Sequence, residues 1–295
     1  MPIHFTSLEF KRRQNAATSA ILSKGFDAIL LFAPESHYWL TGYDTFGFAL
    51  FQAMVLTCKG EIHLLTRAPD LRQALYTSTL SEAHIHIWEE VEGANPAKDL
   101  ARLLSKIGLA EDKIGYESQT AGLTDFNGRL LRAAIPKLQD IEDLMSNLRR
   151  IKSPAEITMH RKAAALSDDA LDAAIDETYA GAFEGDILAA MQGAVFKGGG
   201  DYAGNEFILG SGPGALLVRY FSGRRHLDKR DQLTLEWSGA FARYHAAMMR
   251  TIIIGKADRI QRRMYNAAAE ALTACEKAIM PGVSMGDVFE AHSKV

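Results

Sequence analysis

Short apolar runs alternate with amphipathic segments through the first half of the chain, and that alternation predicts an α/β domain. Thr6-Ser-Leu-Glu9 has capping-box spacing, and the helix it opens stops near Gly25. Residues 27–32, Asp-Ala-Ile-Leu-Leu-Phe, are a short buried strand. A hairpin is predicted from 49–56 across Lys59-Gly60 to 62–65, with later strands at 84–88 and 113–117. Helices are expected near 97–107 and 123–134.

The pattern changes near Arg149-Arg-Ile-Lys-Ser-Pro-Ala-Glu156, which divides the chain into domains 1–148 and 149–295. Ser153 is a good N-cap, Pro154 suits the first helical position, and Glu156 has the spacing to return a bond to the cap. One helix follows through 163–171 and a second covers 184–196. A glycine-rich loop, 198–212, then leads into a strand. Strands at 232–237 and 247–254 are joined through a small-residue bend, bringing Glu236, Arg243, His245 and Arg250 close together. A long helix at 260–279 and a last one capped by Ser284 complete the chain. The second half thus starts to repeat its helix–helix opening and stops before more strands appear. A sheet left with an open apolar edge invites association, so the expectation is that a C-terminal part is missing.

Composition narrows the function classes. A hydrophobic content of 47%, a charged content of 23% and a net charge of −3 describe an ordinary globular chain. That charge gives no reason to expect nucleic acid or an anionic membrane as partner. The basic runs at 149–152 and 224–226 sit beside acidic residues and read as solvated faces. Cys58 and Cys275 show no metal or redox spacing and read as small core residues. The N-terminus turns charged too early for a signal peptide, and no apolar run reaches the length of a membrane span. The expected setting is reducing and cytoplasmic.

Several motifs fail on their own terms. The 198–212 loop lacks the Gly-Lys-Ser/Thr ending of a phosphate loop, and Leu209-Gly-Ser-Gly212 lacks nucleophile-elbow spacing. His84 and His86 put two rings on one strand face with no third ligand evident, which reads as polar surface.

The sequence resembles the creatinase/prolidase/Xaa-Pro aminopeptidase family over nearly its whole length. Pro34-Glu-Ser-His-Tyr-Trp-Leu-Thr-Gly-Tyr43 is similar to its N-terminal domain, and Leu148-Arg-Arg-Ile-Lys-Ser-Pro-Ala-Glu-Ile157 to its interdomain signature. Ser211-Gly212, the Asp-Gln-Leu of 231–233, Tyr244 and Arg250-Thr251 follow the order of its catalytic half. The resemblance implies an α/β (α+β) fold, with a creatinase-type domain followed by an incomplete "pita-bread" domain lacking about one hundred residues. Metallopeptidase members place two aspartates at the positions of Glu236 and Ala247, and a substrate-binding histidine where Arg219 stands. Alanine supplies no ligand, so no metal is expected; Mn, Co or Zn belongs to an alternative reading as an Xaa-Pro peptidase. Leu235-Glu-Trp-Ser-Gly239, Arg243-Tyr-His245 and Arg250-Thr251 are similar instead to metal-free members, creatinase and ectoine hydrolase.

The expected activity is hydrolysis of a C–N bond in a small nitrogenous compound or short peptide. Glu236 would serve as nucleophile or general base and His245 as proton carrier. Arg219, Arg243 and Tyr244 would bind substrate. Creatinase-like dimers bring the N-terminal domain of one subunit to the other's site, which makes a homodimer the expected assembly and Phe46 and Phe48 candidate substrate contacts. Structural alternatives stand beside these. Glu236 and Arg250 can form an ion pair within the sheet, with Arg250 holding the strand pair, and Phe46 and Phe48 can be core. A third reading is a non-catalytic relative or incomplete chain that binds ligand or a partner subunit.

Overall fold

Thr6 accepts the Glu9 backbone N–H and starts helix α1 (Ser7–Ser23). The Glu9 carboxylate is engaged by Arg12, Arg13 and Ser153. After α1 come β1 (Ala28–Leu31), α2 (Pro34–Thr41), β2 (Ala53–Thr57), β3 (Ile62–Arg67), α3 (Leu71–Thr77), β4 (Ile85–Trp88) and α4 (Pro96–Lys106). β5 (Ile114–Tyr116), α5 (Asp125–Ala134), β6 (Gln139–Asp140) and α6 (Asp143–Arg150) follow. This computed structural model describes residues 3–217 and 223–295, and for Phe48 the backbone alone. The chain divides into two units, Met1–Ala155 and Glu156–Val295.

The first unit holds a six-stranded mixed sheet in the order β4-β3-β2-β1-β5-β6. β1 is buried on both faces, as its continuous apolar run requires. Ile29 and Leu31 meet Ala17 and Ile21 of α1 and Leu144 and Met145 of α6. Ala28 and Leu30 point the other way, toward Leu100, Leu103 and Leu104 of α4 and Leu131 of α5. The β2–β3 hairpin starts later than expected, because residues 47–49 coil into a 3-10 turn. Glu117 is buried at the start of α2, where it accepts the Phe32 and Ala33 N–H groups and the Ser36 hydroxyl.

Three groups tie this unit's stability to pH. Desolvation pushes buried His37 down to about 4 against its bond to the Leu31 carbonyl. Desolvation and the neighbouring His63 push His86 to about 4 as well. Both stay neutral in the fold while the unfolded chain takes up protons below about pH 6.5. Their contribution is therefore intact above about 6.5 and is lost as pH falls toward 4. Glu9, held at about 2 chiefly by Arg12 with help from Ser153 and Arg13, adds a second loss as pH falls from about 4.5 to 2. A urea midpoint for the first unit that declines steadily below pH 6.5 is the expected result; a flat profile down to pH 4 would contradict it.

In the second unit, α7 (Pro154–Asp176) and α8 (Glu184–Lys197) precede a three-stranded antiparallel sheet. Its order is β7 (Ile208–Ser211), β8 (Asp231–Phe241), β9 (Tyr244–Ile254). Leu233, Leu235 and Trp237 of β8 join Leu166, Ala170, Ile187, Met191 and Val195 of the two helices in one core. β8 runs straight through Gly239, which is not the bend that its small neighbours suggested. Glycine is needed there because α7 crosses against the strand: a Cβ would stand 2.1 Å from the Ala163 carbonyl oxygen and 2.6 Å from the Ser167 nitrogen. Gly239→Ala should cost about 2–3 kcal/mol, since backbone cannot yield as a side-chain end does; thermal melting of the variant checks this. α9 (Arg259–Ala278) and α10 (Met285–Ser293) each begin in a capping box, and of their residues only Ala271 is buried.

Candidate active site

The β8–β9 register decides which side chains share a face. Glu236 lies opposite Met249, and Ser238 opposite Ala247. Directly paired residues project to the same side, so Thr234, Glu236 and Ser238 line one face with Thr251, Met249 and Ala247. On the other flank Glu236 is opposite Ile208 of β7. A half-buried carboxylate therefore stands between two apolar cross-strand neighbours. Leu233, Leu235 and Trp237 face the core from the same strand.

Arg250 is opposite Leu235, one position out of phase with Glu236. Strand side chains alternate, so the two project to opposite faces. The guanidinium is exposed and donates to the Met249 carbonyl at 2.8 Å. The register thus rules out the cross-sheet ion pair with Glu236.

His245 is opposite Ala240, on Glu236's face but four residues along β8. At about 3.4 Å per residue and one strand across, roughly 14 Å separates the two Cα positions. The expected cluster of Glu236, Arg243, His245 and Arg250 is therefore drawn out along the hairpin. His245 Nε2 accepts the Gly204 N–H at 2.9 Å, and the His245 carbonyl is bonded by His160 Nδ1 at 3.0 Å. Both contacts fix the loop after α8 and the first turns of α7 to the strand end.

Tyr244 is held by the same helix. Its hydroxyl donates to Glu156 Oε1 at 2.9 Å, and the His160 ring meets it edge-on with centroids 5.1 Å apart. Glu156 and His160 stand four residues apart on α7, hence on one helix face; that spacing is the signal that could have singled them out. The turn between the strands places two non-glycine residues, Ala242 and Arg243, at φ of 50° and 65°. Asp201 braces it: its carboxylate accepts the Arg243 N–H at 3.1 Å and its own N–H donates to the Ala240 carbonyl at 2.8 Å. The Arg243 side chain is exposed. Phe46, in the first unit, is 85% exposed and so is not core. Arg219 and the Phe48 side chain lie outside the described residues.

A second polar cluster takes in Ser211 and Asp231 and corrects the reading of the 224–226 run as a solvated face, because the Arg225 guanidinium is engaged there. Buried Glu184, at the start of α8, accepts the Ser211 N–H, the Ser211 hydroxyl and the Arg225 N–H. The Arg225 guanidinium in turn bonds Ser211, Asp231 and Asp228. The network ties the end of β7 to the start of β8.

A two-ion hydrolase centre needs bridging carboxylates around both ions. At the positions where such carboxylates are implied, this chain has Glu236 and Ala247, with Met249 opposite Glu236. Among the described residues no group of three or more His, Cys, Asp or Glu side chains is disposed to hold an ion. The donor set on this face does not fit a two-ion centre.

Comparison with known proteins gives the site its context. Residues 158–295 match the profile of metallopeptidase family M24, and residues 13–151 that of the creatinase/prolidase N-terminal domain. An uncharacterized hydrolase/peptidase of Sinorhizobium fredii is 25% identical over 99% of this chain and 77% of its own length. The ectoine hydrolase of Halomonas elongata is 26% identical over 97% of this chain and 76% of its own. Among solved structures, an Xaa-Pro dipeptidase from Bacillus anthracis superposes with a TM-score of 0.81 at 20% identity, covering 97% of this chain and 76% of that one. The prolidase from Pyrococcus horikoshii gives 0.82 at 18%, covering 96% and 76%. These structural likenesses carry the fold, an N-terminal domain followed by a pita-bread domain. With both family profiles matching in order along the chain, the protein belongs to the creatinase/prolidase family of hydrolases.

Proposed function

We propose that this protein hydrolyses a C–N bond (amide, amidine or guanidino) in a small nitrogenous compound without a metal ion, with Glu236 as the acting group. The observation that carries this reading is the β8–β9 register. It puts Met249 opposite Glu236 and, one pair along the same face, Ala247 at the position where the family places its second carboxylate. The ectoine hydrolase likeness over 97% of the chain supports the same substrate class.

In this mechanism Glu236 takes a proton from water, and the hydroxide adds to the electrophilic carbon. The C–N bond then breaks, and the protonated Glu236 returns the proton to the leaving nitrogen. His245, the expected proton carrier, stands roughly 14 Å from Glu236 between Cα positions. Its distance along the sheet and its engaged Nε2 make it instead a residue that positions the 201–204 loop. Tyr244, whose hydroxyl is held by Glu156, and Arg243 lie at that same distant end of the hairpin, so of the expected substrate-binding set only Arg219, outside the described residues, is kept for this reaction. A homodimer in a cytoplasmic setting belongs to the same proposal.

The alternative is a metal-dependent Xaa-Pro dipeptidase, favoured by the Pyrococcus furiosus enzyme of that name, 25% identical over 52% of this chain. A chelator challenge separates the two. Cleavage of cyclic amidines and small amides unchanged after exhaustive treatment with EDTA is the expected outcome. Activity that appears only on Xaa-Pro dipeptides and only with added Mn, Co or Zn would overturn the proposal.

A further inference from the structure

The first unit carries a histidine cluster that the hydrolytic site does not use. β3 and β4 run parallel with Leu64 beside Ile85 and Leu65 beside His86. This register puts His63 on the same sheet face as His84 and His86. His63 Nδ1 and His86 Nε2 are 3.2 Å apart, and the His63 ring centroid lies 5.0 Å from that of His84 and 5.3 Å from that of His86. His63 is 8% exposed, and its other nitrogen, Nε2, is buried with no hydrogen-bond partner. His84 and His86 are half-buried, so the cluster opens to solvent on the β4 side, which is the free edge of the sheet.

We propose that His63 and His86 form a two-imidazole chelate for a borderline divalent transition ion such as Zn²⁺, Ni²⁺ or Cu²⁺. Imidazole nitrogen suits these ions, whereas Mg²⁺ and Ca²⁺ prefer oxygen. Two nitrogens 3.2 Å apart, each at about 2.0–2.1 Å from one ion, subtend an angle of roughly 100°, near tetrahedral. Among the described residues no third His, Cys, Asp or Glu is arranged to complete the shell, so water would fill it. His84 stays beside the chelate, bonded through Nδ1 to the Ser81 hydroxyl. The N–H now shared between the two rings moves by exchange with water to the far nitrogen of its own ring. Binding therefore requires neutral imidazoles but releases no net proton. Burial lowers the proton affinity of both His63 and His86, which keeps them in the metal-binding form at neutral pH. Among charged groups near the cluster are Glu61, facing His63, and Lys106, facing both rings. The ion would staple the edge strand β4 to β3.

The test uses the whole chain dialysed against NiCl₂, ZnCl₂ or MgCl₂, as wild type and as His86→Asn. Half-buried His86 is chosen because buried His63 is the riskier site for folding, and circular dichroism confirms that the variant folds. The wild type should retain about one more nickel or zinc ion per chain than the variant, melt at a higher temperature in those salts, and ignore magnesium. Loaded with Cu²⁺, its paramagnetic resonance should show two nitrogen ligands. Equal metal uptake by wild type and His86→Asn, or no uptake by either, would overturn the proposal. Hydrolytic activity should be the same in both proteins, so failure of this site would leave the reading of Glu236 untouched.

Discussion

Glu236→Gln is expected to lower hydrolytic turnover by roughly 100- to 10,000-fold, the usual worth of a positioned general base or nucleophile. Glutamine keeps the shape and hydrogen-bonding length of the side chain but cannot take the proton from water. Because Glu236 is half-buried between Ile208 and Met249, with no paired cation across the strands among the described residues, the fold should hardly notice the change. Melting temperatures within a degree or two of wild type, together with the collapse in rate, separate chemistry from stability. Turnover retained in Glu236→Gln would remove Glu236 from the mechanism. A parallel loss in His245→Asn would report on the loop held through Gly204 rather than on proton transfer at the reacting carbon.

Glu184→Ala should produce the largest loss of stability in the second unit, on the order of 3–5 kcal/mol. The carboxylate is 1% exposed and accepts three hydrogen bonds, from the Ser211 N–H at 2.8 Å, the Ser211 hydroxyl at 2.5 Å and the Arg225 N–H at 3.1 Å. Alanine leaves all three donors without that acceptor and removes the negative charge beside the Arg225 guanidinium. Gly223 fits the same place tightly, since a Cβ there would overlap the Glu184 carboxylate. Urea unfolding should show the drop. Glu184→Gln should recover part of it, because its amide oxygen can still accept. A loss below about 1 kcal/mol for the alanine variant would mean that water replaces the carboxylate readily.

Helix ends in this protein are legible in the sequence because they are set by local chemistry. Thr6, Asn95, Thr124, Asp258 and Ser284 each cap the helix that follows with their own side chain. The short helix α2 has its punctuation in plain view, Pro34 at its start and Gly42 at φ 82° at its end. It hides because six of its eight residues are buried, which erases the polar face a reader looks for. The two faces of β8 are equally legible, since Thr-Leu-Glu-Trp-Ser alternates in step with the pleat.

Cross-strand partners are another matter. The small residues 238–240 look like a bend, yet Gly239 is small because α7 presses on it, and the chain turns at Ala242–Arg243. Both turn residues hold conformations uncommon for side chains other than glycine. Their brace, Asp201, stands 42 residues before Arg243. The partners of Glu184 are likewise 27 and 41 residues away. No local pattern encodes such contacts. The residues expected to cluster around Glu236 are therefore spread along the hairpin, Glu156 reads from the sequence only as a partner of the helix cap, and nothing local ties His160 or Asp201 to the hairpin.

The two-residue turn also acts as an electrical setting for the carboxylate on β8. Slipping β9 by a single residue would exchange its two faces, and the slip that brings Arg250 opposite Glu236 would put a guanidinium where Met249 now stands. The Glu236 carboxylate would become one half of a neutral pair, unable to serve as a base, with no change to any residue of the site. Turn length in this hairpin is thus a mutable trait through which the proposed chemistry can be switched off from six residues away.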